Sequence, residues 1–297
     1  MVLISYHEEV TMTIADYLIA VLFGIVEGIT EWIPVSSTGH MIILDKIFML
    51  NVSDDFFSLF LVVIQLGAIL AVIIIFWKEI WPFAGKGNND PMTAGGVGKY
   101  IKKDIFMMWL KIVVACIPAT IVGLLFDDIV DEYLYNFICV AIALIVFGIA
   151  FIVVEDRMKG RQFRVNSIEE ITFKDAFLIG MFQLIAAIFP GTSRSGATIV
   201  GSLGMGIRRD IAAKFTFFLA IPVMLGASLL KILKYDGGAT SSEWIILAIG
   251  MIVAFAVSFA IIKGLLAYIR KHDFKVFGWY RIILGSVLII LGICNVI

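Results

Sequence analysis

Apolar stretches that are long enough to cross a lipid bilayer recur along the chain and alternate with short polar segments. A helix that crosses the hydrocarbon layer needs roughly 17 to 25 largely apolar residues. Six stretches are of about that length, at 56–77, 105–126, 137–154, 215–233, 244–262 and 282–297. The pattern therefore predicts an all-α integral membrane protein with six transmembrane helices.

Two further apolar stretches are short and end differently. Residues 17–33 and 176–189 run into proline, glycine and hydroxyl residues instead of a charged connection. Irregular backbone inside a membrane is tolerated only where it is buried in protein or lines a watery cavity. We predict that each stretch forms a re-entrant helical hairpin, which enters and leaves the membrane on the same side.

The basic residues indicate how the spans are oriented. Lysine and arginine are concentrated in the connections 78–103, 157–174 and 263–281, whereas the connections at 127–132 and around 236–238 are acidic or nearly free of cations. Positive charge marks the cytoplasmic loops of membrane proteins. The first hairpin is therefore predicted to dip in from the outer side and the second from the cytoplasm.

An internal repeat relates the two hairpins. An offset of 156 residues matches four pairs of residues, which are Gly24 with Gly180, Glu27 with Gln183, Pro34 with Pro190, and Ser37 with Ser193. Each half then consists of one hairpin and three spans in opposite orientations, which is the pattern of an inverted-topology repeat. The predicted organisation is a lead at 1–13, a first repeat at 14–154, a cytoplasmic linker at 155–175 and a second repeat at 176–297.

Composition excludes several other classes of protein. Hydrophobic residues make up 61% of the chain and charged residues 16%, whereas soluble domains are about half apolar and a quarter charged. The net charge of -1 leaves no basic field to attract nucleic acid. Cys116, Cys139 and Cys294 lie in apolar stretches without metal-binding or redox spacing. A soluble fold, a nucleic-acid partner and a disulfide framework are not expected.

The first hairpin carries two carboxylates near its tip. Glu27 and Glu31 are four residues apart and therefore lie on one face of a helix. Each charge costs about 2.5 to 3.5 kcal/mol inside a membrane. A divalent cation, a cationic side chain or water must compensate that cost, and salt bridges near the outer interface are the structural alternative.

Hydroxyl and imidazole side chains follow these carboxylates. Ser36, Ser37 and Thr38 suit either a turn whose hydroxyls face a phosphate or an ordinary helix cap. His40 adds a group that transfers protons near neutral pH. The other histidines, His7 and His272, are predicted to lie at the surface.

The second hairpin carries one arginine among small and hydroxyl residues. Arg194 stands between Ser193 and Ser195, with Gly196 and Thr198 close behind. A guanidinium stays charged and its planar fork fits phosphate oxygens, which predicts a phosphate clamp. A salt bridge to a carboxylate of the first tip is the alternative, and an empty site accommodates both. Because broken elements of inverted repeats meet near the midplane, we predict that the two tips form one site.

Two motifs at these tips identify a family resemblance. EGITEWIPVSSTGH at 27–40 and PGTSRSGAT at 190–198 closely resemble the undecaprenyl-diphosphate phosphatase family linked to bacitracin resistance, and weaker likeness covers nearly the whole chain after about residue 14. The resemblance implies a multi-pass hydrolase of the bacterial inner membrane that converts undecaprenyl diphosphate to the monophosphate. Such an enzyme recycles the lipid carrier of cell-wall synthesis, needs a divalent cation and opens its site to the outer side.

The resemblance also suggests roles for individual residues. The family's functional residues correspond to Glu27, Glu31, Ser37, His40 and Arg194. Glu27 and Glu31 are expected to hold Mg²⁺ or Ca²⁺. Substrate binding is expected from Ser36, Thr38, Ser193, Arg194, Ser195, Gly196 and Thr198. Two nucleophiles stay open, namely Ser37 assisted by His40, or a water activated by a glutamate.

Rival functions remain compatible with the predicted architecture. Inverted repeats with broken elements also build secondary transporters, so a carrier or flippase of a polyprenyl phosphate lipid is the alternative. A scaffold whose polar tips only hold helices together is a third. The expected partners are the polyprenyl diphosphate lipid and the bilayer, and a homodimer is an open assembly.

Overall fold

The computed structural model describes residues 12–85, 88–134 and 136–294, and this part of the chain is all-helical. The predicted lead at 1–13 lies almost wholly outside the described residues. Eleven α-helices are described, which are α1 Ile14–Thr30, α2 Ser37–Ile47, α3 Asp54–Ile75, α4 Trp77–Ile80, α5 Lys103–Leu134, α6 Phe137–Met158, α7 Phe173–Ile188, α8 Arg194–Gly204, α9 Arg209–Lys234, α10 Ser241–Ile269 and α11 Lys275–Ile293.

Six of these helices are long and apolar enough to cross a membrane. They are α3, residues Lys103–Leu125 of α5, α6, α9, α10 and α11. Each contains or largely overlaps one of the six predicted spans, which confirms that part of the prediction. The acidic segment 127–132, predicted as a connection, instead continues α5 to Leu134. No glycine or proline interrupts the chain there, so nothing in the local sequence ends the helix.

The outward faces of the spans are apolar. On α11, for example, Ile283 and Ile290 are each more than half exposed, and they are separated by two helical turns on one face. Monomeric soluble proteins rarely expose large contiguous apolar surfaces. These apolar faces are therefore suited to contact with lipid.

Each predicted hairpin region contains two short helices joined by a turn, α1 with α2 and α7 with α8. Both pairs begin in the same way. The backbone N–H of Thr13 donates to the carboxylate of Asp16, and the N–H of Thr172 donates to that of Asp175. An acidic residue in the first turn satisfies a free amide and favours the start of a helix.

The turns between the paired helices share an unusual backbone conformation. Ser36 has φ 73° and Ser193 has φ 67°, and they are the only residues other than glycine with positive φ in the described part of the chain. The Ser36 Oγ accepts the N–H of Gly39, and the Ser193 Oγ accepts that of Gly196. A non-glycine residue in this region costs about 1 to 3 kcal/mol, so surrounding contacts must hold both turns in place.

The first helix of each hairpin packs along a span from the other half of the chain. Helix α1 lies along α10, and α7 lies along α5. Glycines permit both approaches: a Cβ on Gly24 would lie 2.7 Å from the Gly250 carbonyl oxygen, and one on Gly180 would lie 2.4 Å from that of Ala115. Helices α3 and α9 also pack together, as do α6 and α11. This exchange of partners brings the two turns toward each other.

Ion pairs join the helix ends on the side opposite to α2. The Glu155 carboxylate on α6 accepts hydrogen bonds from Arg209 on α9 and from the backbone N–H of Phe274 just before α11. Arg164 pairs with Asp175 at the start of α7, at 2.6 Å. These contacts fix α6, α7, α9 and α11 relative to one another.

Candidate active site

Glu31 is the point at which the two turns meet. It directly follows α1 and is 7% exposed. Its Oε2 accepts the hydroxyl of Ser37 at 3.0 Å, and its Oε1 accepts Nη2 of Arg194 at 2.9 Å. Its backbone oxygen accepts the hydroxyl of Ser195 at 3.1 Å. Residues 163 positions apart thus form one polar cluster, which confirms that the tips converge.

Arg194 is largely but not fully buried, and it does not use its full hydrogen-bonding capacity. Its side chain is 12% exposed. Besides Glu31, its guanidinium donates to the backbone oxygen of Thr216 on α9 at 3.0 Å. A guanidinium offers five N–H donors, and these two bonds are the ones it makes to the described residues. The remaining donors suit a bidentate contact with a phosphate.

Glu27 lies one helical turn before Glu31 and forms fewer hydrogen bonds with the protein. It is 1% exposed, and its Oε1 has no hydrogen-bond partner among the described residues. A buried, unpaired carboxylate is strongly destabilising unless it is neutralised or bound. The described residues contain no cluster of three or more histidine, cysteine or acidic side chains suited to a metal. Two adjacent carboxylates nevertheless fit a hard cation such as Mg²⁺, which keeps several waters and shares phosphate oxygens with its substrate.

The two turns differ by one residue from the alignment that the sequence predicts. The sequence alignment paired Ser37 with Ser193, but the two serines that cap helices with positive φ are Ser36 and Ser193. The second turn has one more residue between its proline and its capping serine. In this register Ser37 and Arg194 are equivalent, because each is the first residue of its helix. Glu31 therefore binds both equivalent positions, one with each carboxylate oxygen.

The remaining residues predicted to bind substrate fall into two groups. Thr38 and Ser193 are partly exposed, and they are the sequence neighbours of Ser37 and Arg194, to which Glu31 is hydrogen-bonded. Ser36, Gly196 and Thr198 are buried, and their contacts are internal to the protein. The Thr198 hydroxyl donates to the Arg194 backbone oxygen at 2.9 Å and also contacts the hydroxyl of Thr216, so it joins α8 to α9.

His40 does not contact Ser37, contrary to the pairing considered from the sequence. Its Nδ1 lies 2.7 Å from the backbone oxygen of Ser36, and its Nε2 lies 2.6 Å from the hydroxyl of Tyr280. Because a carbonyl only accepts, Nδ1 carries the hydrogen, and Nε2 of a neutral ring accepts the tyrosine hydroxyl. The direction of the ring follows from the positive φ of Ser36, which could not be inferred from the sequence.

Sequence reasoning missed three residues of the cluster: Thr216, Tyr280 and Arg281. Arg281 is completely buried and donates to backbone oxygens of both turns. It was counted among the cations of the connection 263–281. The available signal is its place next to an uninterrupted apolar run, because a helix that begins at Lys275 puts Arg281 more than one turn inside the candidate span.

Comparison with known proteins agrees with these motifs. The family described as bacitracin resistance protein BacA matches residues 20–287. An undecaprenyl-diphosphatase of Desulfitobacterium hafniense is 55% identical over 279 residues, which cover 94% of this chain and 97% of the relative. Undecaprenyl-diphosphatase 1 of Clostridium acetobutylicum is 56% identical over 275 residues, and an undecaprenyl-diphosphatase of Enterococcus faecalis is 51% identical over 276; each alignment covers 93% of this chain and 97% of the relative. The chain therefore belongs to the bacitracin resistance protein BacA family.

Proposed function

We propose that this protein is a membrane hydrolase that converts undecaprenyl diphosphate to undecaprenyl phosphate and inorganic phosphate. Relatives that align along almost their whole length carry the name undecaprenyl-diphosphatase. The observation that carries the proposal is the contact of Glu31 with both Ser37 and Arg194 inside an otherwise apolar helical bundle. That contact supports the proposal because it brings a carboxylate, a hydroxyl and a guanidinium together.

We also propose that the hairpins are re-entrant, that the two halves form an inverted repeat, and that the site opens to the outer side. The clustering of basic residues in alternate connections supports this orientation. The packing of α1 on α10 and of α7 on α5 supports a two-fold relation, since each hairpin uses the equivalent span of the other half. The boundaries 14–154 and 176–297 describe the two repeats.

The diphosphate would bind where α2 and α8 begin. Both helices present unpaired backbone N–H groups and the positive end of the helix dipole at their first residues, Ser37 and Arg194. The spare guanidinium donors of Arg194 would take the phosphate oxygens, with hydroxyl contacts from Thr38 and Ser193. The polyprenyl tail would remain in lipid along the apolar faces of the spans.

Ser37 is the proposed nucleophile, and Glu31 is the base that serves it. Its hydroxyl already points at Glu31 Oε2 at 3.0 Å. Attack on the terminal phosphorus would form a phosphoserine bond, break the anhydride bond and transfer the serine proton to Glu31, while undecaprenyl phosphate leaves. Glu31 would pass that proton to the departing undecaprenyl phosphate and so return to its carboxylate form. A water molecule would then attack the phosphoserine and lose a proton to Glu31, and Glu31 would return this proton to the Ser37 oxygen as phosphate is released. His40 would hold the strained turn at Ser36 through its Nδ1–H.

Glu27 and Glu31 would hold the divalent cation, Mg²⁺ or Ca²⁺. When bound, such an ion supplies neutralisation of charge on the phosphate oxygens. The unpartnered Oε1 of Glu27 is the feature of the protein that favours this assignment.

The test is phosphate release by purified protein in detergent from a prenyl diphosphate in the presence of Mg²⁺. We expect Arg194→Ala and Ser37→Ala to lower kcat/KM by about a thousandfold, as when a group that stabilises the transition state is lost. Arg208→Ala is the matched control, because Arg208 is half-exposed and pairs with Asp210 at the start of α9. Near-normal turnover in both active-site variants would contradict the proposal. Translocation of polyprenyl phosphate without phosphate release would support a carrier instead.

A further inference from the structure

Arg281 is a fully buried cation on α11. Its guanidinium donates from Nη1 to the backbone oxygen of Pro34 at 3.3 Å. Its Nη2 donates to the backbone oxygens of Gly191 at 3.0 Å and Thr192 at 2.7 Å. Its Nε–H has no partner among the described residues, and no described carboxylate lies within salt-bridge distance.

Such a residue is costly to keep in the membrane. A buried charge without a counter-ion loses its hydration, and an apolar side chain of similar volume is often equally stable or more stable at such a position. Ionisable residues inside membrane spans are for this reason functional by default. Stability of the fold is therefore a poor explanation for Arg281.

The three carbonyls that Arg281 binds belong to the two turns and directly precede the capping serines. Pro34 lies two residues before Ser36, and Gly191 and Thr192 lie just before Ser193. Since α2 and α8 start at these serines, the position of the carbonyls determines where the helices begin. It therefore determines the separation of Ser37 and Arg194.

A close contact from α8 makes the position of the guanidinium more restricted. A Cβ on Gly196 would lie 2.9 Å from Nη1 of Arg281. A glycine at position 196 therefore leaves space for the guanidinium of Arg281. The guanidinium carbon also lies 5.9 Å from the centre of the Phe147 ring, at a distance typical of cation–π contacts.

We propose that Arg281 is a positioning residue that holds the two turns at the separation required for Ser37 and Arg194 to act on one diphosphate. The inference rests on the proposed function and extends it to a third element, α11. The planar fork of the guanidinium is the feature that matters, because it reaches both turns with fixed geometry. A positive charge without that planar fork cannot reach both turns with fixed geometry.

The experiment compares Arg281→Met, Arg281→Lys and a control. Lys111 is the matched control, since it is a buried cation on another span whose Nζ donates to a backbone oxygen, that of Glu169, away from the turns. We expect Arg281→Met to lower kcat by about a hundredfold, as small displacements of reacting groups do, with little change in KM or in unfolding temperature. The kcat of Arg281→Lys should be close to that of Arg281→Met, and the kcat of Lys111→Met should be close to that of wild type. Full activity of Arg281→Lys would overturn the proposal, because charge alone would then suffice.

A second pair of variants keeps the proposal testable if Arg281→Met does not fold. Gly196→Ala pushes on Nη1 from α8 without removing the arginine, and we expect a similar loss of kcat. Combined with Arg281→Lys, the losses should be strongly non-additive, because both act on the same contact. Additive losses, or wild-type kcat in Gly196→Ala, would overturn the positioning role. If wild-type protein released no phosphate, the proposed function itself would fail, which is a distinguishable result.

Discussion

The protein contains two buried pairs of a glutamate with an arginine, and they differ in how completely they are satisfied. Glu155 accepts Nε and Nη2 of Arg209 and also the backbone N–H of Phe274. Glu31 accepts one nitrogen of Arg194 and one serine hydroxyl. The first pair is bidentate and joins helix ends, whereas the second pair is a single hydrogen bond beside Glu27, whose Oε1 has no partner among the described residues.

This difference separates structural from reactive use of the same two residue types. A buried ion pair stabilises a fold only when its remaining hydrogen-bonding groups are satisfied. At Glu155 both carboxylate oxygens accept hydrogen bonds from Arg209 and one also accepts the Phe274 N–H, so loss of this pair should affect stability. The pair at Glu31 leaves hydrogen-bonding groups free for a ligand, so loss of this pair should affect activity.

The largest effect is expected for Glu31→Gln. The amide keeps the shape of the side chain but cannot take a proton from Ser37, and it no longer binds a cation as a carboxylate does. We expect kcat/KM for phosphate release to fall by about a thousandfold, with an unfolding temperature close to that of wild type. If Glu31→Gln kept its activity but unfolded at a lower temperature than wild type, the pair at Glu31 would have a structural role.

Glu155→Gln should show the opposite behaviour. Removing the charge leaves Arg209 partly buried beside a neutral amide, and breaking a buried pair costs about 3 kcal/mol of stability. Thermal unfolding in detergent measures that loss. The kcat of the protein that remains folded should match wild type, and a kcat as low as that of Glu31→Gln would remove the distinction between the pairs.

Glu27→Gln sharpens the comparison because Oε1 of Glu27 has no hydrogen-bond partner among the described residues. We expect the concentration of Mg²⁺ needed for half-maximal activity to rise about tenfold, in the range that loss of a metal-site interaction produces. The unfolding temperature without metal should hold or increase, since an uncompensated buried charge has been removed. An unchanged Mg²⁺ requirement would exclude Glu27 as a ligand.

The smallest effect is expected for Tyr280→Phe. The change removes the hydroxyl that contacts Nε2 of His40 and keeps the aromatic ring that stacks on it. Loss of one hydrogen bond of about 1 kcal/mol corresponds to roughly a fivefold change, and we expect a decrease of that size in kcat. A loss as large as that of Ser37→Ala would mean that His40 acts directly on the substrate.

The sequence was sufficient for the parts of the molecule that depend on burial and charge alone. The six spans follow from continuous apolar runs, and the approach of Arg194 to the carboxylates follows from the need of a buried guanidinium for anionic company. Backbone detail was not accessible in the same way. The pairing of His40 depends on the left-handed conformation of Ser36, and the repeat register depends on one extra residue in the second turn. Arg281 was missed because it lies at the boundary of a predicted span, where composition does not distinguish a loop cation from a buried one.

The exchange of partners between the halves also bears on how the protein is made. Helix α1 is complete early in synthesis, yet the surface that receives it belongs to α10, and the arginine that joins both turns belongs to α11. The contacts that join the two turns are therefore completed only when α11 has been synthesised. A chain that lacks α11 would retain Glu31, Ser37 and Arg194 without the arginine that holds the two turns together.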